Sequence, residues 1–180
     1  VQYAAIVDES HPIGLYSDMS FTAIILAAGK GTRMNSALPK PLHRVGGHAM
    51  LAWSIDAARL AGAERIVTVL APGSEDIQDW LDGAPFAIQE DQLGTGNAVA
   101  SAREAVGNED GVAIVMFADT PLVSAASLKQ LADGIEAGAG IVIASFRPDD
   151  PSGYGRLVED ADGIICRIVE DRECSPAEQA

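Results

Sequence analysis

Asp119 follows directly on the apolar run 112–117, in the string Ala118-Asp119-Thr120-Pro121-Leu122. A carboxylate at the end of a buried strand can hold Mg2+, which binds through one or two carboxylates together with substrate phosphates and water. The same aspartate could instead cap the turn that Pro121 fixes. A second group stands earlier, where Leu26-Ala27-Ala28-Gly29-Lys30-Gly31-Thr32-Arg33-Met34 carries glycines and cations after the apolar run 21–25. Glycines let the backbone approach a ligand closely, and successive N–H groups in such a turn form an anion-binding nest. Lys30 and Arg33 add fixed positive charge where phosphates would sit. The chemistry is that of a nucleotide-phosphate cradle. The spacing fits neither a P-loop nor the dinucleotide fingerprint Gly-x-Gly-x-x-Gly.

Three further positions carry usable groups. The prolines of Leu38-Pro39-Lys40-Pro41-Leu42 rule out regular helix, so an irregular loop presents Lys40. Gln89 and Gln92 flank a turn, Gly94-Thr95-Gly96, that leads into a helix. Amide side chains suit the reading of a base edge, or they belong to a polar loop with a helix cap at Thr95. Glu170, after an apolar strand, is either a partner for sugar hydroxyls or an exposed acid. His43 and His48 have no partner at triad or metal spacing and are assigned to packing or surface. No serine or cysteine stands in a nucleophile elbow. An in-line transfer needs none, because alignment and charge stabilisation suffice.

The elements that must position these groups alternate. Strands are expected at 21–25, 66–70, 86–89, 112–117 and 141–144, with 112–117, the most apolar, at the centre. Helices are expected at 48–61 with Gly62 as the stop, at 74–81 with Ser74 as cap, at 97–106, and from Ser124 to 137. That order makes an α/β protein with a parallel sheet and helices on both faces. The runs 153–158 and 164–169 flank an Asp160-Ala161-Asp162-Gly163 turn, which predicts an antiparallel hairpin near the sheet edge. Ser175-Pro176-Ala177-Glu178 reads as a helix start with Ser at N-cap and Glu at N3. Ligands of open α/β sheets bind beyond the carboxyl ends of the strands. The glycine string, residues 89–95, Asp119 and Glu170 all fall there.

Composition excludes several classes. The chain has 180 residues, about one domain, with 48% hydrophobic and 21% charged residues, which suits a globular core. A net charge of −14 argues against a DNA or RNA backbone binder. No apolar run is long enough to span a membrane, and no basic signal-peptide start is present. Cys166 and Cys174 are not in Cys-x-x-Cys spacing, so reduced thiols and a cytoplasmic setting are expected. The chain starts at Val1, and Met19 stands just before the first clear strand. Residues 1–18 are expected to be a leader or vector-derived segment, disordered, and residues 19–180 a domain truncated at its C-terminus.

Four strings together point further: Leu26 to Met34, Leu38-Pro39-Lys40-Pro41-Leu42-His43, Gln92-Leu93-Gly94-Thr95-Gly96, and Asp150-Pro151-Ser152-Gly153-Tyr154-Gly155-Arg156. From about Phe21 to Glu178 the chain resembles the uridylyltransferase domain of the bacterial bifunctional N-acetylglucosamine-1-phosphate uridyltransferase / glucosamine-1-phosphate N-acetyltransferase family, a MobA-like NTP transferase domain. The resemblance implies a Rossmann-like three-layer nucleotidyltransferase fold with a C-terminal β-hairpin. It implies uridylyl transfer from UTP to N-acetylglucosamine 1-phosphate with Mg2+, giving UDP-N-acetylglucosamine for peptidoglycan synthesis. The backbone of Leu26, Ala27, Ala28 and Gly29, with Gln89, Gly94 and Thr95, would hold the uridine part, and Gln92 would belong to the substrate-binding set. Arg33 and Lys40 would neutralise the triphosphate as catalytic cations. Asp119 would hold the metal, with Phe117 and Ala118 lining the substrate site, and Gly155 and Glu170 would contact the sugar. The family usually has Tyr-Gly-Asp where this chain has Phe117-Ala118-Asp119. Its acetyltransferase β-helix, which makes the family trimeric, has no counterpart in this sequence. The alternatives are a relative using glucose 1-phosphate and a nucleotide-binding module without catalysis.

Overall fold

The computed structural model describes residues 2–7, 20–29, 31, 34–107, 111–160 and 164–179. The chain divides into two compact units, one of residues 18–132 and one of residues 1–17 with 133–180.

The first unit is built on a four-stranded parallel sheet. Its strands are β2 (Phe21–Leu26), β5 (Ala63–Leu70), β6 (Phe86–Ile88) and β7 (Val112–Phe117), in the order β6-β5-β2-β7. A short antiparallel pair, β3 (Arg44–Val45) and β4 (His48–Ala49), precedes the first helix. Side chains alternate across the strands, so each face of the sheet gathers its own core. On one face Phe21, Ala23 and Ile25 pack with Leu70, Ile114 and Met116 beneath α1 (Met50–Ala61), α2 (Glu75–Leu81) and α5 (Ala125–Glu136). On the other, Ile24, Val67 and Val69 pack beneath α3 (Thr95–Ser101) and α4 (Arg103–Val106). Three layers result, as the sequence predicts.

Four details depart from the expectation. β7 lies at the edge of the sheet rather than its centre, which β2 and β5 occupy. Only one face of β7 is packed: Ile114 and Met116 are buried, while Val115 and Phe117 are 44% and 46% exposed. The expected helix 97–106 is two helices with a turn at Ala102. Ser74 is the N-cap residue of α2 but makes no side-chain cap bond. The fourth difference concerns the expected strand 141–144. It is β8 (Ala139–Ser145), and it pairs antiparallel with β1 (Gln2–Val7), outside the parallel sheet. Those six residues of β1 belong to the stretch expected as a disordered leader, and they form a strand; positions 8–18 lie outside the described residues.

Other expectations hold. Gly62 closes α1 in the left-handed conformation with φ 99°. The Ser124 hydroxyl accepts from the Ser127 N–H at 3.1 Å and caps α5. In the second unit β9 (Arg156–Glu159) and β10 (Ile165–Val169) form the expected antiparallel hairpin, though as a two-stranded sheet of their own rather than as part of the parallel sheet, and residues 161–163 of its turn lie outside the described residues. The start of α6 (Pro176–Gln179) is closed by Glu178, whose carboxylate accepts from the Ser175 N–H at 2.8 Å and its hydroxyl at 2.6 Å. Both cysteines are free, and no helix among the described residues is long and apolar enough to cross a membrane.

Candidate functional site

The carboxyl ends of β2, β6 and β7 open onto one cleft of about 280 Å3, within the first unit. That volume suits a small molecule rather than a polymer. Leu26, Ala27, Ala28 and Gly29 form one wall, Gln89, Gln92, Gly94 and Thr95 a second, and Lys40, Phe117, Ala118 and Asp119 the third. Two main-chain bonds continue the sheet into the site and fix its floor. Ala27 N–H donates to the Val69 carbonyl at 2.8 Å, and Ala118 N–H donates to the Leu26 carbonyl at 3.0 Å. Residues just past strand ends are thus held by the ladder while their side chains stay beyond it.

Lys40 and Asp119 stand 79 positions apart, and the Lys40 ammonium donates to Asp119 Oδ2. Both side chains are about one third exposed, at 34% and 39%. Lys40 is placed by Pro39 and Pro41, which frame a 3-10 turn at Lys40–Leu42. Gly31 completes the support. Its φ is +56°, and a Cβ there would lie 2.8 Å from Lys40 Cβ, so a residue without a side chain lets the glycine loop pass against the lysine stem. Thr120 closes the turn after Asp119 by donating its hydroxyl to the Phe117 carbonyl at 2.9 Å. The turn is therefore capped by threonine, and the aspartate is spared for another use. Among the described residues no group of three or more His, Cys, Asp or Glu could hold a metal ion. A Mg2+ ion needs no such group, and among the described residues the one hydrogen-bond partner of the Asp119 carboxylate is Lys40, on Oδ2. The donor set fits a metal shared with ligand phosphates.

Gln89 extends β6 by one residue, donating its N–H to the Leu70 carbonyl at 2.8 Å, and is 5% exposed. Its side-chain nitrogen donates to the Gly94 carbonyl at 3.0 Å and to Asn97 Oδ1 at 2.9 Å. Both amide donors are thus spent inside the protein, which the sequence did not indicate: as seen from the cleft, Gln89 is an acceptor. Gln92 lies on the exposed rim.

Of the remaining candidates, Arg33 lies outside the described residues, as does Lys30. Gly155 and Glu170 belong to the second unit. Gly155 approaches β10, where a Cβ would meet Ile168 at 3.5 Å, and Glu170 is exposed after that strand. The histidines have structural roles. His43 Nε2 bonds the Leu38 carbonyl at 3.1 Å, and the His48 ring packs edge-on against Trp53. Sequence reasoning passed over Pro41 and Ala98, which line the cleft, and Asn97, which orients Gln89. Pro41 could have been found from its place beside Lys40. No local signal marks Asn97.

Known proteins resemble this chain over most of its length. A family model described as the MobA-like NTP transferase domain matches residues 23–160. The Bifunctional protein GlmU of Maricaulis maris is 45% identical over 163 residues, covering 89% of this chain and 36% of that protein. The protein of the same name from Trichlorobacter lovleyi is 44% identical over 162 residues, 88% of this chain and 35% of that one. The chain thus spans about a third of the length of the curated relatives it matches. Among solved structures, Rv0371c from Mycobacterium tuberculosis H37Rv is similar, with TM-score 0.55 and 26% identity over 63% of this chain and 60% of that one. A nucleotidyl transferase from Methanothermobacter thermautotroptrophicus shares the fold, with TM-score 0.52 and 20% identity over 65% and 58%.

Proposed function

Since the chain belongs to the MobA-like NTP transferase domain family, we propose that it transfers a uridylyl group from UTP to N-acetylglucosamine 1-phosphate and releases pyrophosphate. One observation carries this reading: Leu26 to Gly29, the Gln89–Thr95 wall and the Lys40–Asp119 pair meet in a single cleft at the carboxyl ends of three strands. The curated relatives support it through identity across almost all of the chain.

In this account the main chain of Leu26 to Gly29, with Gln89, Gly94 and Thr95, holds the uridine, while Gln92 stands at the rim. Lys40 and Arg33 bind the triphosphate, and so concentrate positive charge in a chain that is strongly acidic overall. Asp119 holds Mg2+, the ion that supplies charge neutralisation at the reacting phosphates when bound. Phe117 and Ala118 shape the substrate pocket, and Gly155 and Glu170 act on the sugar. An oxygen of the sugar's phosphate attacks the α-phosphorus of UTP, and the bond to the bridging oxygen breaks to release pyrophosphate. No protein nucleophile is needed; alignment and electrostatics carry the rate. A cytoplasmic setting, with the product entering cell-wall precursor synthesis, follows from the same reading.

Incubation of the chain with N-acetylglucosamine 1-phosphate, Mg2+ and each of the four ribonucleoside triphosphates, with products identified by mass, tests the proposal. UDP-N-acetylglucosamine is the expected product. A product made from another nucleotide in preference would overturn the assignment.

A further inference from the structure

Gln89 is nearly buried, lines the cleft and has already spent both amide donors. The assignment of its two ends follows from chemistry. The Gly94 carbonyl can only accept, so the Gln89 atom 3.0 Å away is the nitrogen. The second N–H of that nitrogen then requires an acceptor, which Asn97 supplies with Oδ1 at 2.9 Å. Among the described residues the Gln89 side-chain oxygen accepts no hydrogen bond, and it is left for the cleft that Gln89 lines. The clamp is itself anchored to α3, because the Gly94 carbonyl also accepts the Ala98 N–H at 3.1 Å. Gly94 adopts φ 109° and ψ −175°, open to glycine alone, and this turns its carbonyl onto both donors.

We propose that Asn97 is a positioning residue for nucleobase selection: by holding the Gln89 amide it leaves only an acceptor facing the base. This rests on the uridylyl reading above. Uracil has one ring donor, N3–H, and cytosine carries a lone pair at the same position. With the amide fixed, an oxygen meets N3–H of uracil and repels N3 of cytosine. Asn97 touches no nucleotide in this scheme. Its effect passes through Gln89, and without it the glutamine can turn its NH2 group toward the base at the loss of one bond rather than two.

The test compares the intact chain with its Asn97→Ala and Asn97→Asp variants, the latter retaining an acceptor for Gln89. Titration calorimetry with UTP and with CTP gives the ratio of affinities. The wild type and Asn97→Asp are expected to keep the same preference for UTP, and Asn97→Ala to narrow it about fivefold, the worth of one hydrogen bond. A second readout needs no nucleotide: the Gln89 side-chain N–H protons exchange severalfold faster with solvent in Asn97→Ala than in the other two. Thermal unfolding at a common midpoint shows that all three are folded. An undiminished UTP preference in folded Asn97→Ala, or unchanged exchange at Gln89, overturns the proposal. If the uridylyl reading itself fails, the wild type shows no UTP preference while the contrast in exchange persists.

Discussion

At the scale of single residues, the site turns on a contact that no spacing rule reveals. Lys40 and Asp119 each announced a chemical use in the sequence, but their meeting depends on β2 and β7 lying side by side. As a partly exposed pair the two contribute at most about 1 kcal/mol to stability. Asp119→Asn is therefore expected to leave the urea midpoint almost unchanged, and to cut pyrophosphate release at least ~100-fold if the carboxylate's work is at the phosphates. Near-normal initial rates in a folded Asp119→Asn protein would remove the metal assignment. Gly31 gives the opposite pattern. Its left-handed φ and the 2.8 Å approach to the Lys40 stem make Gly31→Ala destabilising by about 1–2 kcal/mol. Urea unfolding reads that loss, and a raised KM for UTP reads the displaced lysine. The two glutamines were legible as polar residues at a turn. That Gln89 faces the cleft as an acceptor was not, because it depends on Asn97, eight residues on in α3.

At the scale of elements, local pattern carried much of the information. The apolar runs marked every strand of the parallel sheet, since a parallel sheet covered by helices needs continuous hydrophobic sequence. What pattern could not carry was pairing. Val112–Phe117 is the most apolar strand, yet it lies at the edge, because apolar content measures burial and does not name neighbours. Ala139–Ser145 was rightly read as a strand and wrongly placed in the sheet; its partner is Gln2–Val7, more than 130 positions earlier. Buried strands should resist truncation least. Ile25, fully buried in β2, is expected to cost about 2–5 kcal/mol as Ile25→Ala, read from denaturant midpoints at constant slope. The α6 cap supplies a pH test. The hydroxyl and N–H of Ser175 hold the Glu178 carboxyl below its ordinary pKa, and Arg167 assists. A folded pKa lowered in this way stabilises the helix start above the ordinary carboxylate range. That support is lost as pH falls through the lowered value. Protection of the Ser175 amide, measured against its intrinsic exchange rate at each pH, should therefore fall in acid, and Glu178→Gln should abolish that pH dependence.

At the scale of the whole molecule, a strongly acidic chain sets one described cation in the wall of its cleft. Lys40 faces the cleft, and the long-range field of −14 charges argues for a small anionic ligand held at close range over any polyanion. The first unit alone contains the cleft, whereas the residues that the family resemblance assigns to the sugar, Gly155 and Glu170, belong to the second. The most direct measurement is the initial rate of pyrophosphate release from UTP and Mg2+, with N-acetylglucosamine 1-phosphate set beside glucose 1-phosphate. The account predicts turnover at least ~10-fold faster with the N-acetylated sugar, a modest demand for a site that reads a polar substituent. Faster turnover with glucose 1-phosphate, or none with either, would contradict it.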